Sequence, residues 1–198
     1  MAVPIPKLTP GEYLAIERRA DTRSEYWHGE MFAMAGASFA HDRIQDNLKF
    51  QIRLRTQHGA CSAHGSDLKV GVHRGQHSCA YPDAFILCGA PQFLDQHQDV
   101  VTNPVAIFEI LSPSTENHDR GRKFVEYRKL SSLRHYILID QHEALVEHGL
   151  RQDRGTWLWR ELRAGQVLFL PDLSLELPVD LLYESVEFPL ATPEDGPA

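Results

Sequence analysis

The stretch Val105-Ala106-Ile107-Phe108-Glu109-Ile110-Leu111 has the composition of a buried β-strand with one acidic residue inside it. A second stretch of this kind precedes it, Tyr81-Pro82-Asp83-Ala84-Phe85-Ile86-Leu87-Cys88, and it also carries one acid. Carboxylates are costly to bury unless they are paired, hydrogen-bonded or bound to a metal. Two of them in adjacent strands of one core therefore indicate a bound cation.

The positions of Asp83 and Glu109 predict that the two acids are neighbours. The loop between their strands spans about residues 89–103, and residue 96 is midway both along this loop and between the two acids. If the strands pair antiparallel, the carboxylates lie beside each other across a ladder about 5 Å wide. A hard divalent cation such as Mg²⁺ would remove their repulsion, because it accepts oxygen ligands and bridges to phosphate oxygens.

A lysine near these acids would complete a hydrolytic site, since it could orient or deprotonate a metal-bound water and counter charge on the scissile phosphate. Lys123 is the candidate, because it lies on the predicted helix after Glu109, beside Phe124 and one turn before Tyr127. The alternative is that Lys123 only forms an exposed ion pair with Asp119, four residues earlier on that helix.

Hydrophobic periodicity and capping residues predict an α/β (α+β) chain of short strands and helices. The predicted helices cover about residues 9–19, 39–56 and 116–130, with a last turn at 179–185. Two short strands flank a turn at His28-Gly29, and further strands are predicted at residues 67–72, 80–88, 105–111 and 136–140. Three more, at residues 144–149, 156–162 and 167–170, are predicted to form a C-terminal β meander.

The composition favours one cytoplasmic domain. A chain of 198 residues that is 42% hydrophobic is too short for two full domains, so we expect a single domain over residues 1–190 and a frayed tail at 191–198. Neither a bilayer-spanning apolar run nor a signal-peptide pattern is apparent, which predicts no membrane partner. The three cysteines, Cys61, Cys79 and Cys88, show no disulfide spacing, so we expect no disulfide and a reducing compartment.

The net charge of −7 argues against a protein that holds nucleic acid by bulk electrostatics, because that affinity comes from Lys and Arg neutralising phosphates. Basic residues do concentrate between Arg120 and Arg134. This cluster indicates either a local DNA-binding face or an ordinary solvated helix.

Several segments carry a combined pattern that covers nearly the whole chain. They are Tyr81-Pro82-Asp83, Phe108-Glu109-Ile110-Leu111-Ser112-Pro113-Ser114-Thr115, residues 119–127 and residues 133–140, with further similarity at residues 25–35, His41 and residues 181–184. Together they resemble the Uma-type restriction endonucleases of the PD-(D/E)XK nuclease superfamily. The resemblance implies a restriction endonuclease-like core, a mixed β-sheet flanked by helices, and Mg²⁺-dependent cleavage of DNA, with Mn²⁺ as a substitute metal.

The resemblance also implies roles for individual residues. Asp83 and Glu109 match the acidic metal ligands, and the Ile110 carbonyl is a further candidate ligand. Leu111 departs from the pattern, because the superfamily motif has its lysine there. Lys123 is similar to the relocated lysine that the family carries on the following helix.

Four residues form a second rank of candidates. Glu25 and His41 match positions typical of the family, where they could act as outer ligands or contact water, although without the resemblance both would be ordinary surface positions. Asp67 could join the acidic cluster, but Asp is also common at turns. Lys69, on the preceding strand, is the reserve candidate for the catalytic lysine.

Two other interpretations compete with the magnesium nuclease. The first is a zinc centre built from Cys61, His64, His73, His77 and Cys79, although their spacings are irregular. The second is a catalytically inactive DNA-associated or protein-interaction module on the same fold, which the negative charge and the missing lysine at position 111 favour. Under the nuclease hypothesis a homodimer is expected, because enzymes that cut duplex DNA often use two sites.

Overall fold

The computed structural model describes residues 7–34, 36–57, 59–72, 78–113 and 115–188. The helices are α1 (Pro10–Glu17), α2 (Phe39–Thr56), α3 (Glu116–His118), α4 (Phe124–Tyr127) and α5 (Val179–Leu182), with a π-helical turn at Asp119–Lys123 and 3-10 turns at Asp153–Gly155 and Pro171–Leu173. The strands are β1 (Ser24–Trp27), β2 (Glu30–Ala33), β3 (Cys61–Gly65), β4 (Lys69–Val72), β5 (Ser78–Ala80), β6 (Ala84–Cys88), β7 (Val100–Val101), β8 (Ala106–Leu111), β9 (His135–Asp140), β10 (Leu145–Arg151), β11 (Trp157–Arg163), β12 (Val167–Leu170) and β13 (Leu175–Pro178). The tail predicted from residue 191 lies outside the described residues.

A six-stranded mixed sheet forms the centre of the molecule, in the order β11-β10-β9-β8-β6-β3. Strands β8 and β9 run parallel, whereas the other neighbours are antiparallel. A five-stranded sheet, β2-β1-β5-β4-β7, packs with α4 against one face, and α2, α5 and the β12-β13 hairpin pack against the other. The prediction of a mixed sheet flanked by helices is confirmed.

Local signals located α2 and the first hairpin correctly. Ser38 caps α2 by accepting a hydrogen bond from the His41 N–H, and the apolar side chains on its inner face, at four-residue spacing, are fully buried. His28 and Gly29 connect β1 to β2 with φ values of +52° and +96°. Positive φ at both positions is what a two-residue hairpin turn requires, and glycine adopts it without steric penalty.

The single strand predicted over residues 80–88 is wrong. Strand β5 ends at Ala80 in the five-stranded sheet, and β6 begins at Ala84 in the central sheet. Pro82 separates them, and because proline has no N–H to donate to a ladder, the chain passes from one sheet to the other there. Asp83 consequently lies at the junction of the two sheets.

Other element boundaries also differ from the predictions. Strand β4 begins at Lys69, which leaves Asp67 in the preceding turn. The helix predicted over residues 116–130 ends at Tyr127 and contains the π-helical turn. Strands β10 and β11 extend the central sheet instead of forming a meander with β12, which pairs with β13. Strands β3, β7 and β13 were not predicted, since they are short and lack a clear apolar alternation.

Cys61 and Cys88 form a disulfide bond between β3 and β6, so the expectation of no disulfide is wrong. They lie opposite each other in the ladder, with Cα atoms 4.0 Å apart, although they are 27 residues apart in sequence. Only strand pairing makes them neighbours. Cys79 is a buried free thiol. The cysteine argument for a reducing compartment therefore no longer holds, and cytoplasmic localisation stays a prediction.

None of the helices in the described residues combines the length and the apolar character needed to cross a bilayer.

Two buried histidines lie on adjacent strands of the central sheet. His135 Nδ1 is 3.0 Å from His148 Nε2, and the two rings stack with centroids 5.2 Å apart. Asp172 Oδ2 lies 3.4 Å from His135 Nε2. Burial lowers the pKa of His135 to about 4 and the pKa of His148 to about 3, so both rings are neutral at pH 7.

We expect this histidine pair to make folding stability fall in mild acid. A histidine with a depressed pKa in the folded state contributes stability that is fully present above its ordinary pKa of 6.5 and is lost as pH falls towards the folded value. The loss should be on the order of 2–3 kcal/mol for His148 between pH 7 and pH 4. Urea unfolding across this pH range measures it, and His148→Phe should flatten the curve. Parallel curves for the two proteins would contradict this assignment.

Candidate active site

Asp83 and Glu109 lie next to each other where β6 and β8 pair in the central sheet. Ala84 pairs with Phe108 in the antiparallel ladder of β6 and β8, and one further step brings Asp83 opposite Glu109. Because side chains alternate along a strand, Glu109 points away from the α2 core, with Ile107 and Leu111 of the same strand. Asp83 precedes β6, and its carboxylate faces the N-terminal part of α2. The Ile110 N–H donates a hydrogen bond of 2.7 Å to Asp83 Oδ2. The antiparallel pairing predicted from the sequence is confirmed, whereas the roles of these residues as metal ligands stay predictions.

Lys123 lies buried among three carboxylates. Its Nζ is 3.0 Å from Asp119 Oδ1, 3.2 Å from Glu25 Oε1 and 3.3 Å from Glu109 Oε1. The alternative of an exposed Lys123–Asp119 pair is wrong, because both side chains are buried and the lysine also contacts Glu109. The lysine that the sequence places on the helix after β8 thus reaches the acid on β8.

The π-helical turn at Asp119–Lys123 explains how both charged side chains point inward. A π-turn closes its hydrogen bonds over five residues instead of four, so residues four apart lie almost directly above one another. Asp119 and Lys123 therefore share one face of the helix, which packs towards Glu109. The Tyr136 hydroxyl, from β9, holds this turn in place by donating a hydrogen bond of 2.9 Å to the Asp119 carbonyl.

The electrostatics of this cluster leave the lysine charged. Burial raises the pKa of Glu109 well above its ordinary value, Lys123 opposes this shift, and Asp119 and Asp83 add to it. Burial alone would lower the pKa of Lys123, but Glu109, Glu25 and Asp119 outweigh burial and raise the pKa. At neutral pH Lys123 is a fixed cation, so it suits orientation and charge stabilisation better than deprotonation of water.

Glu25 and His41 reach the cluster from two other elements. Glu25 Oε2 accepts a hydrogen bond from Trp27 Nε1 at 3.1 Å, while its Oε1 contacts Lys123. His41 Nε2 is 3.3 Å from Asp83 Oδ1. Burial on its own would lower the pKa of His41, but the contact with Asp83 outweighs burial and the net shift is upward. Both residues contact members of the cluster, and their roles as outer ligands stay predictions.

Asp67 and Lys69 lie away from this cluster. Asp67 is exposed and pairs with Arg23, so it does not join the acids. Lys69 Nζ is 3.1 Å from Asp99 Oδ2 and 3.2 Å from the Tyr81 hydroxyl. Of the two candidate lysines, only Lys123 contacts Glu109 within the described residues.

Two contributors were missed at the level of sequence. Gln45 donates from Nε2 to the Asp83 carbonyl at 3.0 Å and lies 3.3 Å from Asp83 Oδ1. Gln45 could have been found from its position four residues after His41, because residues at this spacing lie on one face of a helix. Asp119 was considered only as a surface partner of Lys123. The burial of Asp119 depends on tertiary packing, which no local sequence pattern indicates.

These residues surround one cleft of about 800 Å³. The residues of the cluster that line it are Glu25, His41, Gln45, Asp83, Glu109, Asp119 and Lys123. Of the residues in the zinc alternative, Cys61 is held in the disulfide and His64 stacks on Phe85, whereas His73 and His77 lie outside the described residues. In the part of the chain that the structure describes, no three His, Cys, Asp or Glu side chains are arranged as a metal site.

Comparison with known proteins identifies the family. The profile of the Uma2 family, described as "Putative restriction endonuclease", matches residues 10–180. The chain belongs to the Uma2 family. Two uncharacterized Synechocystis proteins are related to it: slr1290 is 34% identical over 94% of this chain and 97% of its own length, and sll1609 is 37% identical over 78% and 87%.

A solved structure shares the fold of this Uma2 chain. It is described as a putative nuclease belonging to DUF820 from Anabaena variabilis, and it superposes with a TM-score of 0.73 at 19% identity over 89% of this chain and 98% of its own. The family and the fold together place this Uma2 chain among proteins described as putative nucleases.

Proposed function

We propose that this Uma2 chain is a Mg²⁺-dependent endonuclease that hydrolyses phosphodiester bonds of DNA. The observation that carries the proposal is the meeting of Asp83, Glu109 and Lys123 in one cleft, with Lys123 Nζ 3.3 Å from Glu109 Oε1. The three residues come from two paired strands and a π-turn that are brought together only by the fold. Membership of the Uma2 family supports nuclease chemistry at this site.

The residues present fit a magnesium ion better than a zinc ion. Asp83, Glu109 and the Ile110 carbonyl would hold the metal, with Mn²⁺ as a substitute. Glu109 is buried, and the one cation that the structure places within 4 Å of its carboxylate, among the described residues, is Lys123, 3.3 Å from Oε1. Mg²⁺ is commonly held by one or two carboxylates with water and substrate oxygens, whereas zinc takes three or four protein ligands. When bound, a divalent cation lowers the pKa of water and neutralises charge on the phosphate.

The protein groups then have separate tasks. The Ile110 N–H and Gln45 fix the orientation of Asp83, while His41 contacts the same carboxylate from α2. The Lys123 ammonium offers positive charge to the attacking water and to the phosphate oxygens. Glu25 and Asp119 hold this lysine in place through their ion pairs with Nζ.

A magnesium titration on supercoiled and linear DNA tests the proposal. We expect the wild type to cut both substrates only when Mg²⁺ or Mn²⁺ is present, and Asp83→Ala and Lys123→Ala to lose cutting by at least about 10³-fold. Lys69→Met, checked for folding by circular dichroism, should still cut. Cutting that survives Asp83→Ala would refute the site, and no cutting with any metal would favour an inactive DNA-associated module on the same fold.

We also propose a homodimer, with β11 as the interface. This strand is at the edge of the central sheet and exposes Leu158 and Trp159. A free strand edge with apolar side chains is suited to pairing with another copy. Analytical ultracentrifugation of the wild type and Leu158→Lys tests this: the wild type should sediment as a dimer and the variant as a monomer.

A further inference from the structure

An exposed phenylalanine lies in the wall of the cleft. Phe32, in β2, is 39% exposed and lines the cleft together with Glu25, His118 and Lys123. An exposed apolar side chain inside a functional cleft indicates a ligand that covers it.

The ladder of the first hairpin aims Phe32 at the catalytic cluster. Phe32 pairs with Glu25 across β1 and β2, and residues directly opposite in an antiparallel ladder have side chains on the same face. Glu25 in turn contacts Lys123 at 3.2 Å. The Phe32 ring also lies 6.1 Å from the His118 ring, which lines the same cleft. Phe32 therefore lies beside Glu25, which in turn contacts Lys123.

An arginine lies over the Phe32 ring. The Arg122 guanidinium is 5.8 Å from the centre of that ring. Within the described residues no carboxylate forms an ion pair with Arg122, whereas its neighbour Arg120 is held by Glu116 and Glu147. Arg122 therefore offers positive charge next to a cleft-lining ring in a chain whose net charge is −7.

We infer that the cleft takes DNA with unpaired nucleotides beside the scissile phosphate, an inference that rests on the proposed function. The unpaired base stacks on Phe32, and the flanking phosphate contacts Arg122. Aromatic side chains beside cations form the surfaces that hold single strands, because every base offers a π-face to an aromatic ring. In a continuous duplex those faces are covered by the neighbouring base pairs, so stacking on this ring requires a base that has left the helix.

Fluorescence anisotropy with end-labelled oligonucleotides tests this inference. One sequence without self-complementarity is presented as single-stranded DNA, as duplex DNA and as RNA, with Ca²⁺ in place of Mg²⁺ after the probe has been shown to stay intact. We expect the single-stranded DNA to bind most tightly, and Phe32→Ala to weaken that binding by about tenfold. Phe39→Ala and Phe50→Ala are the matched controls, because Phe39 is 76% and Phe50 61% exposed on α2 and neither lines the cleft. Both should bind as the wild type does.

Two further variants separate stacking from folding and from charge. Phe32→Leu keeps the apolar bulk but lacks a π-face, so it should bind as weakly as Phe32→Ala, whereas Phe32→Trp should bind normally. Arg122→Gln should reduce the slope of log affinity against log salt by about 0.7. Arg43→Gln, whose guanidinium lies over the Phe39 ring outside the cleft, should leave that slope unchanged.

The outcomes distinguish this inference from the proposed function. Duplex bound as tightly as single strand, together with Phe32 variants that behave like Phe39→Ala and Phe50→Ala, would overturn the inference while metal-dependent cutting still stood. RNA bound more tightly than DNA would overturn the DNA assignment. If no oligonucleotide bound and no metal supported cutting, the proposed function itself would fail.

Discussion

Lys123→Met is expected to lower the free energy of unfolding by about 3–5 kcal/mol in metal-free buffer, because it leaves buried carboxylates without their cation. Glu25, Glu109 and Asp119 all lie within 3.3 Å of its Nζ, and all three are buried. Urea unfolding at neutral pH in the presence of EDTA measures the loss. Cleavage should be lost in the same protein, since the fixed positive charge beside the phosphate is gone.

The control for this prediction is Lys49→Met on α2. Lys49 is half-buried, but its one carboxylate partner among the described residues is the exposed Asp46, whose Oδ1 is 3.6 Å from Nζ, so its loss should change the stability by less than about 0.5 kcal/mol. Mg²⁺ should restore part of the stability of Lys123→Met, because a cation bound to the native acids favours the folded state. Equal stability of the Lys123→Met and Lys49→Met proteins would contradict the buried cluster described above.

Glu109→Gln is expected to raise the free energy of unfolding, whereas Lys123→Met lowers it. Both variants should lose cleavage. Three carboxylates share one lysine, so removing the charge of Glu109 relieves repulsion from Asp119 and Asp83 while Lys123 keeps two partners. We expect the metal-free protein to gain about 1–2 kcal/mol and cleavage to fall at least about 10³-fold. Thermal unfolding in EDTA and the plasmid assay measure the two quantities.

A buried acid outside the cleft provides the matched comparison. Glu126 is as buried as Glu109, but it contacts His28 at 3.0 Å, Ser78 at 3.4 Å and Lys129, and no second carboxylate shares these partners. Glu126→Gln should therefore destabilise the protein, because a neutral amide binds His28 and Lys129 more weakly than the carboxylate does. If Glu109→Gln and Glu126→Gln shifted stability in the same direction, the excess of negative charge in the cleft would not be the cause.

If Lys123→Met destabilised the protein and Glu109→Gln stabilised it, the metal-free site would carry more negative charge than folding favours. Such a conflict between local stability and the native arrangement is expected where function has selected the residues. A cation that binds Asp83 and Glu109 would resolve it. The size of the Mg²⁺-dependent gain in stability, compared between the wild type and Glu109→Gln, would then report directly on binding at these acids.

What the sequence determined by itself is the part of the molecule that depends on near neighbours. The spacing of Ile44, Leu48 and Ile52 predicted α2 at its observed bounds. The midpoint of a single connecting loop predicted the antiparallel neighbours Asp83 and Glu109, because one loop leaves little freedom in the register of the strands it joins. These features could be predicted since their causes lie within a few tens of residues.

Only the tertiary structure decided what depends on distant segments meeting. The break at Pro82, the Cys61–Cys88 bond, the burial of Asp119 and the contact of Glu25 with Lys123 all require two sheets and a helix to be in place at once. Periodicity along a chain reports which face of an element is buried, but it does not report which other element covers that face. The sequence therefore supplied two acids and a lysine, and packing decided that they share one cleft.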